Sequence, residues 1–214
     1  MSIRVARKRP DAYQHGDLRR ALVQAGLKLL GEHGVAGLSL RAAAELAGVS
    51  HAAPYRHFRD KNALVAAIAE EGLKLLTRSM RAEIDACSSR DVLARLLAAG
   101  NGYVSFALAH PAYFRTIFGE KVWPDKNDPA KAALVAAGQE SLGLLRGLIA
   151  EGMRSGKLRA GDTDQIALAA WSMVHGLSLL IIDGQLTGLT DTPAAVRAVT
   201  DNLGRMLQRG IGSA

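Results

Sequence analysis

The chain has 214 residues and a mass of 22.7 kDa, enough for one domain or for a small domain joined to a larger one. Hydrophobic residues make up 49% of it and charged residues 22%, which is typical of a soluble globular protein. Its single cysteine, Cys87, excludes an internal disulfide framework and a cysteine-based zinc site, and it fits a cytoplasmic protein in a reducing compartment.

The net charge of +7 is concentrated near the N-terminus. Residues 1–61 contain 11 Lys and Arg against 5 Asp and Glu, whereas the rest of the chain contains 16 against 15. A basic arm at residues 1–14, with no apolar segment after it, is not a secretory signal. A loose basic tail does not explain the asymmetry, because these cations follow the arm: Arg19, Arg20, Lys28, Arg41, Arg56, Arg59 and Lys61. We therefore expect a small domain that binds a polyanion.

Hydrophobic periodicity predicts helices throughout the chain and no β-strand. Ser39, Ser50 and Asp60 are placed to cap the second, third and fourth helices. Gly34 and Gly48 follow the first and second helices, where a C-terminal glycine is favoured. The four N-terminal helices are predicted at about 18–34, 40–47, 50–58 and 60–87. Five more are predicted at 90–109, 111–118, 130–153, 163–186 and 193–210, with loops at 119–129 and 155–162.

The short second and third helices, joined at Gly48-Val49, match a helix-turn-helix, whose second helix enters the major groove of DNA. Ala43, Ala44 and Ala47 are small enough to let the two helices cross closely. On the third helix, Pro54 and Phe58 share one face and are expected to pack inward. Pro54 cannot donate the first hydrogen bond of this helix, a loss that we expect the helix to accommodate. The outward face then carries His51, Ala52, Tyr55 and Arg56.

Polar side chains in this segment suit contacts with DNA. Ser39, Tyr55 and Lys61 can donate to phosphate oxygens, and Lys61 lies in the first turn of a helix, where the dipole also favours an anion. Arg41, His51 and Arg56 are candidates for base edges or nearby phosphates. Each residue taken alone is more consistent with solvated surface, whereas the set at this spacing, together with the charge asymmetry, favours DNA binding. The complete predicted DNA-binding set is Ser39, Arg41, Ser50, His51, Ala52, Tyr55, Arg56 and Lys61.

Residues 16–64, from GDLRRALVQAGLKLLGEHG to LSLRAAAELAGVSHAAPYRHFRDKNAL, resemble the N-terminal domain of the tetracycline-repressor (TetR) family of transcriptional regulators. The resemblance implies an all-α fold: a three-helix DNA-binding domain at 15–61 and a larger ligand-binding and dimerisation domain at 62–214. The family's phosphate-contacting tyrosine matches Tyr55, and its lysine at the start of the next helix matches Lys61. Many members have glycine where this chain has Ala52, which leaves less room for close approach of the backbone to DNA.

Two later stretches, HPAYFRTIFG at 110–119 and WSMVHGL at 171–177, are similar to a TetR subgroup whose C-terminal domain carries a Trp-His-Gly motif. Trp171 and His175 lie one turn apart on one helix face, so both could line one cavity or meet one partner helix. Aromatic residues at helical spacing are also common in protein cores. The candidate effector-pocket residues are Tyr103, Phe106, Phe114, Phe118, Trp123, Trp171 and His175.

The helices near 163–186 and 193–210 are the candidates for a homodimer interface, because the resemblance implies a four-helix bundle built from two helices of each subunit. Residues 165–182 contain no Asp, Glu, Lys or Arg. The polar residues in this stretch favour a helix buried in a soluble protein or dimer over a membrane span.

We expect a transcriptional regulator, a repressor that releases a palindromic DNA operator when a small apolar or aromatic effector binds. No cofactor or metal site is predicted. An enzyme is disfavoured, because the chain has no GxxxxGK[ST], HExxH or complete GxGxxG motif. The remaining alternative is a helical small-molecule-binding or scaffold protein that does not bind an operator.

Overall fold

A computed structural model of the chain describes residues 15–119 and 129–212. These residues form an all-α fold, as predicted, with no β-strand among them. The predicted arm at 1–14 and nearly all of the predicted loop at 119–129, including Trp123, lie outside the described residues. The elements are α1 (His15–Gly37), α2 (Leu40–Leu46), a 3-10 helix (Pro54–Arg56), α3 (Lys61–Ala86), α4 (Val92–Ala109), α5 (Pro111–Phe118), α6 (Pro129–Arg154), α7 (Thr163–Ile182) and α8 (Pro193–Ile211).

The chain divides into two compact units. In its described parts, the first unit comprises residues 15–71, 112–119 and 129–134, and the second comprises 72–111 and 135–212. The chain therefore passes between the units at 71/72, at 111/112 and at 134/135. The first and last of these passages lie inside the continuous helices α3 and α6.

The core of the first unit forms where α1, α2 and the start of α3 bury their apolar faces. Leu22 and Val23 of α1 are fully or almost fully buried, as are Leu64 and Ile68 of α3. Gly34 interrupts α1 with a positive φ of 63°, so the regular helix breaks where the sequence predicts. In this unit α2 packs against α1, and the 3-10 helix packs against α2.

In the second unit, α4 packs against α7 and α8, and α7 also packs against α8. The helices α3 and α4 cross very closely at Gly102. A Cβ at this position would lie 2.6 Å from the Cα of Met80 and 2.7 Å from the carbonyl oxygen of Ser79. The Ser79 hydroxyl donates a hydrogen bond of 2.8 Å to the Gly102 carbonyl at the same crossing. A side chain at Gly102 is therefore incompatible with this packing.

Two predicted helices differ from the structure. The predicted third helix is a series of turns followed by the short 3-10 helix Pro54–Arg56, because Pro54 has no N–H to donate to Ser50. The N-cap of the 3-10 helix is Ala53 rather than Ser50, and it makes no side-chain capping bond. The helix predicted to reach residue 186 ends at Ile182, where Asp183 caps it and Gly184 follows with a positive φ of 70°.

Two helices, Val92–Ala109 and Thr163–Ile182, are long and apolar enough to cross a membrane by length and composition alone. The two helices differ in the share of their residues that is buried. The fraction buried is 56% for the first and 17% for the second. The helix α7 therefore combines an apolar composition with a largely uncovered surface.

Candidate nucleic-acid interface and effector site

The turn after α2 is a Schellman motif. Ala47 caps α2, Gly48 follows with a φ of 71°, and Val49 donates to the Ala44 carbonyl at 3.0 Å while Gly48 donates to the Glu45 carbonyl at 3.1 Å. These bonds satisfy two carbonyls at the end of α2 and reverse the chain in a short turn. Gly48 thus follows the end of α2, as predicted, and has the positive φ that glycine adopts without steric cost.

The segment after this turn is anchored by two buried residues, as predicted. Pro54 is buried at the start of the 3-10 helix, and Phe58 is 3% exposed. The Arg19 guanidinium of α1 lies 5.6 Å above the centre of the Phe58 ring, a cation–π contact. The predicted inward packing of Pro54 and Phe58 is thus confirmed, and α1 contributes a partner that the sequence pattern did not indicate.

The side chains between these anchors are directed to the surface. Tyr55 is 62% exposed, which is unusual for so large an aromatic residue. Ser39, Arg41, Ser50, His51, Ala52 and Arg56 are also exposed. The Ser39 hydroxyl accepts a hydrogen bond of 3.0 Å from the Ala42 N–H and caps α2, as predicted, so it occupies a helix N-terminus. Every predicted DNA-binding residue except Lys61 is therefore exposed.

Lys61 is half-buried, and its ammonium group donates to the Val35 carbonyl at 3.3 Å, close to the end of α1. The ammonium has three donors, so this bond leaves others for an anion. Asp60 precedes it and caps α3, as predicted, by accepting from the Ala63 N–H at 2.9 Å. That backbone hydrogen bond is the main reason that the pKa of the Asp60 carboxyl is lowered, and Arg59 adds to the effect.

In the second unit, three of the predicted pocket residues form a hydrogen-bonded cluster. Tyr103, 4% exposed, has its hydroxyl 2.9 Å from Nδ1 of His175 and accepts a bond of 3.1 Å from Nε1 of Trp171. Trp171 can only donate, so the tyrosine proton can point at an unprotonated Nδ1 of His175. Burial raises the pKa of Tyr103 and lowers the pKa of His175, so both side chains favour their neutral forms. We call these three residues the Tyr103 cluster.

The other predicted pocket residues that the structure describes are not part of this cluster. Phe106 is 1% exposed in the second unit, with its ring 5.5 Å from that of His110. Phe114 and Phe118 are in the first unit, where their ring centres are 5.0 Å apart. The structure thus groups Tyr103, Trp171 and His175 and separates Phe114 and Phe118 from them by unit.

Sequence reasoning missed two polar contacts in these units. In the first unit, Gln24, Glu71 and Tyr113 share three hydrogen bonds. In the second unit, the hydroxyls of Thr77 and Ser141 lie 2.7 Å apart in a buried position. Their members are far apart in the sequence, and helical periodicity indicates a face without indicating its partner.

Two family models match the sequence. Residues 22–68 match the family described as bacterial regulatory proteins, tetR family. Residues 96–203 match the tetracyclin repressor-like C-terminal domain, which is half of the chain. No curated protein matches the sequence.

Several solved structures share the fold. A protein of unknown function from Rhodococcus sp. RHA1 is 36% identical, with a TM-score of 0.80 over 95% of this chain and 100% of its own. The fatty acid degradation regulator FadR from Bacillus halodurans is 16% identical, with a TM-score of 0.72 over 92% of this chain and 98% of its own. FadR from Bacillus subtilis, solved in complex with stearoyl-CoA, is 15% identical, with a TM-score of 0.70 over 90% of this chain and 98% of its own.

Proposed function

The chain belongs to the TetR family of transcriptional regulators, and from this premise we propose that it is a homodimeric repressor that leaves a palindromic operator when a small apolar or aromatic effector binds. The protein is a non-enzymatic DNA-binding regulator by family, and the proposal adds the direction of regulation, the class of effector and the assembly. We place it in the Trp-His-Gly subgroup on the motif at 171–176. As a regulator of transcription it works in the cytoplasm, where the DNA is.

One observation carries the DNA-binding part of the proposal: the surface after the Schellman turn exposes Tyr55, His51 and Arg56 while Pro54 and Phe58 hold it in place. An exposed tyrosine beside the exposed Arg56 suits a phosphate backbone, to which its hydroxyl can donate. Ala52 has a short side chain at the centre of this surface, which permits close approach to base edges. We assign Tyr55, Ser39 and Lys61 to phosphates, and Arg41, His51 and Arg56 to bases or nearby phosphates.

We assign effector binding to the second unit, near the Tyr103 cluster. Its three side chains are aromatic or heteroaromatic, and all favour neutral forms, which suits an apolar or aromatic ligand with few polar groups. The residues proposed to line the site are the members of the predicted set that lie in the second unit: Tyr103, Phe106, Trp171 and His175. Phe114 and Phe118 belong to the first unit, and Trp123 lies outside the described residues.

We propose that α7 and α8 form the homodimer interface. Leu168 is 57% exposed, and the exposed side chains of Leu179 and Leu180 lie about three turns further along α7. A Cβ added at Gly176, between them, would meet no atom within 4 Å, so another helix can approach closely there. Met206 of α8 is 56% exposed. A second copy of the chain would cover both helices by twofold symmetry, which also suits a palindromic operator.

A gel-shift titration with duplex DNA flanking the protein's own gene tests the proposal. At about 0.15 M salt, we expect binding at least about a thousandfold tighter than to a random duplex of equal length. A scaffold protein would bind both duplexes equally weakly, because only non-specific phosphate contacts remain. Equal affinity would therefore contradict an operator-binding function.

A further inference from the structure

The three hydrogen bonds among Gln24, Glu71 and Tyr113 join three helices of the first unit. The Tyr113 hydroxyl of α5 donates to Oε1 of Glu71 on α3 at 2.7 Å. Nε2 of Gln24 on α1 donates to the same carboxylate oxygen at 2.9 Å and to the Tyr113 oxygen at 3.1 Å. We call these residues the Gln24 cluster.

The cluster lies where the chain leaves and re-enters the first unit. Glu71 is the last residue of α3 before the passage at 71/72, and Tyr113 is the second residue after the passage at 111/112. Within the first unit, a hydrogen bond between Tyr113 and Glu71 therefore joins the ends of two of the three covalent connections between the units. Gln24 adds a bond to α1, whose residue Arg19 packs over Phe58 beside the exposed DNA-binding surface.

One of these connections begins at a residue proposed to sense an effector. α4 carries Tyr103 and ends at Ala109, and α5 begins at Pro111, so only His110 separates the two helices. α3 is one continuous helix through Glu71. A change in α4 within the second unit therefore reaches Tyr113 across the single residue His110, and a change in α3 reaches Glu71 through helical backbone.

The hydrogen bonds of the Gln24 cluster suit a connection with two discrete states, one with the bonds formed and one with them broken. Tyr113 is buried, and its hydroxyl bonds a half-buried carboxylate, whereas Gln24 is exposed. A charge-assisted bond of this kind is directional, so a small displacement of α5 relative to α3 breaks it. Water can reach Gln24 and part of Glu71, so these two side chains can bond to water when the bond from Tyr113 is broken.

We propose that the Gln24 cluster is the positioning element that couples the second unit to the DNA-binding surface, with Tyr113 as its key residue. This inference rests on the proposed function, because it assigns a route to the regulation proposed there. By linkage, an effector that changes the affinity for DNA by some factor has its own affinity changed by DNA by the same factor, so bound DNA must bias the state of the effector site, and we follow that site with DNA alone.

The indole N–H of Trp171 reports on the second unit, because it is bonded to Tyr103. The full-length protein, labelled with nitrogen-15, is titrated with a duplex selected for binding, and the Trp171 indole signal is followed by NMR. Trp123→Phe identifies which of the two tryptophan signals is Trp171. In the wild-type protein, we expect saturation with DNA to shift this signal.

For Tyr113→Phe, we expect a DNA dissociation constant within about threefold of wild type and loss of most of the Trp171 shift, since the variant loses coupling rather than contact with DNA. Thr116→Val is the matched control: it removes a hydroxyl of the same helix that bonds the Ala112 carbonyl within α5, and it should keep the full shift. If Tyr113→Phe does not fold, Gln24→Ala decides the question, because it removes both donor contacts at an exposed position and should also reduce the shift.

An unchanged Trp171 shift in Tyr113→Phe, or in Gln24→Ala if that variant must be used, would overturn the coupling role. A wild-type protein that saturates with DNA but shows no shift of Trp171 would overturn it too. A wild-type protein that binds no duplex at all would overturn the proposed function and this inference with it. The binding isotherm distinguishes that last outcome from the others.

Discussion

At the scale of single residues, the DNA surface divides into side chains that position the duplex and side chains that distinguish its bases. Lys61 extends from the first turn of α3 and is half-buried beside the end of α1. Arg41 is exposed on α2, immediately after the capped N-terminus. A compact ammonium group suits a phosphate, whereas a guanidinium can pair with guanine through two hydrogen bonds.

We therefore expect Lys61→Ala to weaken binding about equally on all duplexes and to reduce the salt slope by about one unit. Arg41→Ala should relax preference at particular bases, by about 1–3 kcal/mol at each such base. Anisotropy titrations of operator and single-base variants at several salt concentrations measure both quantities. Lys61 also bonds the Val35 carbonyl, so thermal unfolding is the control for a loss of stability. Identical behaviour of the two variants would refute the division of roles.

The local structure of this surface was predicted well, because its signals are local. Each of its features is predicted from a few neighbouring residues: the cap at Ser39, the glycine turn at Gly48 and the inward-facing pair Pro54 and Phe58. The Tyr103 cluster could be predicted only in part. Trp171 and His175 are one turn apart, but Tyr103 is 68 residues from Trp171, and no local pattern pairs them. The Gln24 cluster was missed for the same reason.

At the scale of elements, the crossing of α3 and α4 at Gly102 brings the backbones of two helices into direct contact. We expect Gly102→Ala to destabilise the protein by about 1–3 kcal/mol, because the added methyl meets backbone atoms that cannot move aside independently. Gly143→Ala in α6 is the matched control, since its Cβ has open space. Replacing a helix glycine there should stabilise by roughly 0.5–1 kcal/mol. Urea unfolding of both variants measures the difference, and equal effects would contradict the close crossing.

The elements themselves were predicted nearly completely, since apolar periodicity, caps and glycine stops agree along most of the chain. The exceptions have local causes. Pro54 removes a hydrogen-bond donor where the third helix should begin, and a 3-10 helix replaces it. The end of α7 was placed four residues late, at 186 rather than Ile182, because Leu186 continues the apolar spacing from Ile182 by one more turn beyond the cap at Asp183. Apolar periodicity alone does not indicate where a capping residue ends a helix.

At the scale of the whole molecule, the proposed homodimer interface can be tested by substitutions on the exposed surface of α7. We expect Leu168→Glu combined with Leu180→Glu to convert a dimer to a monomer, because two carboxylates would lose hydration in the interface. Val135→Glu is the matched control, as Val135 is similarly exposed but lies on α6. Light scattering coupled to size-exclusion chromatography gives the mass directly. A double variant that remains dimeric would exclude α7 as the interface.

The central claim is that the exposed surface at residues 39–61 binds a twofold-symmetric DNA site. Selection of duplexes from a random pool by the full-length protein tests it most directly. We predict an enriched inverted repeat whose half-site centres lie about one helical turn, roughly 10 base pairs, apart or somewhat more. Tyr55→Ala should bind the selected duplexes more weakly and leave the motif unchanged, because the exposed Tyr55 side chain is assigned to a phosphate and forms no part of the core. A final pool without a symmetric motif, bound no more tightly than the starting pool, would contradict the account.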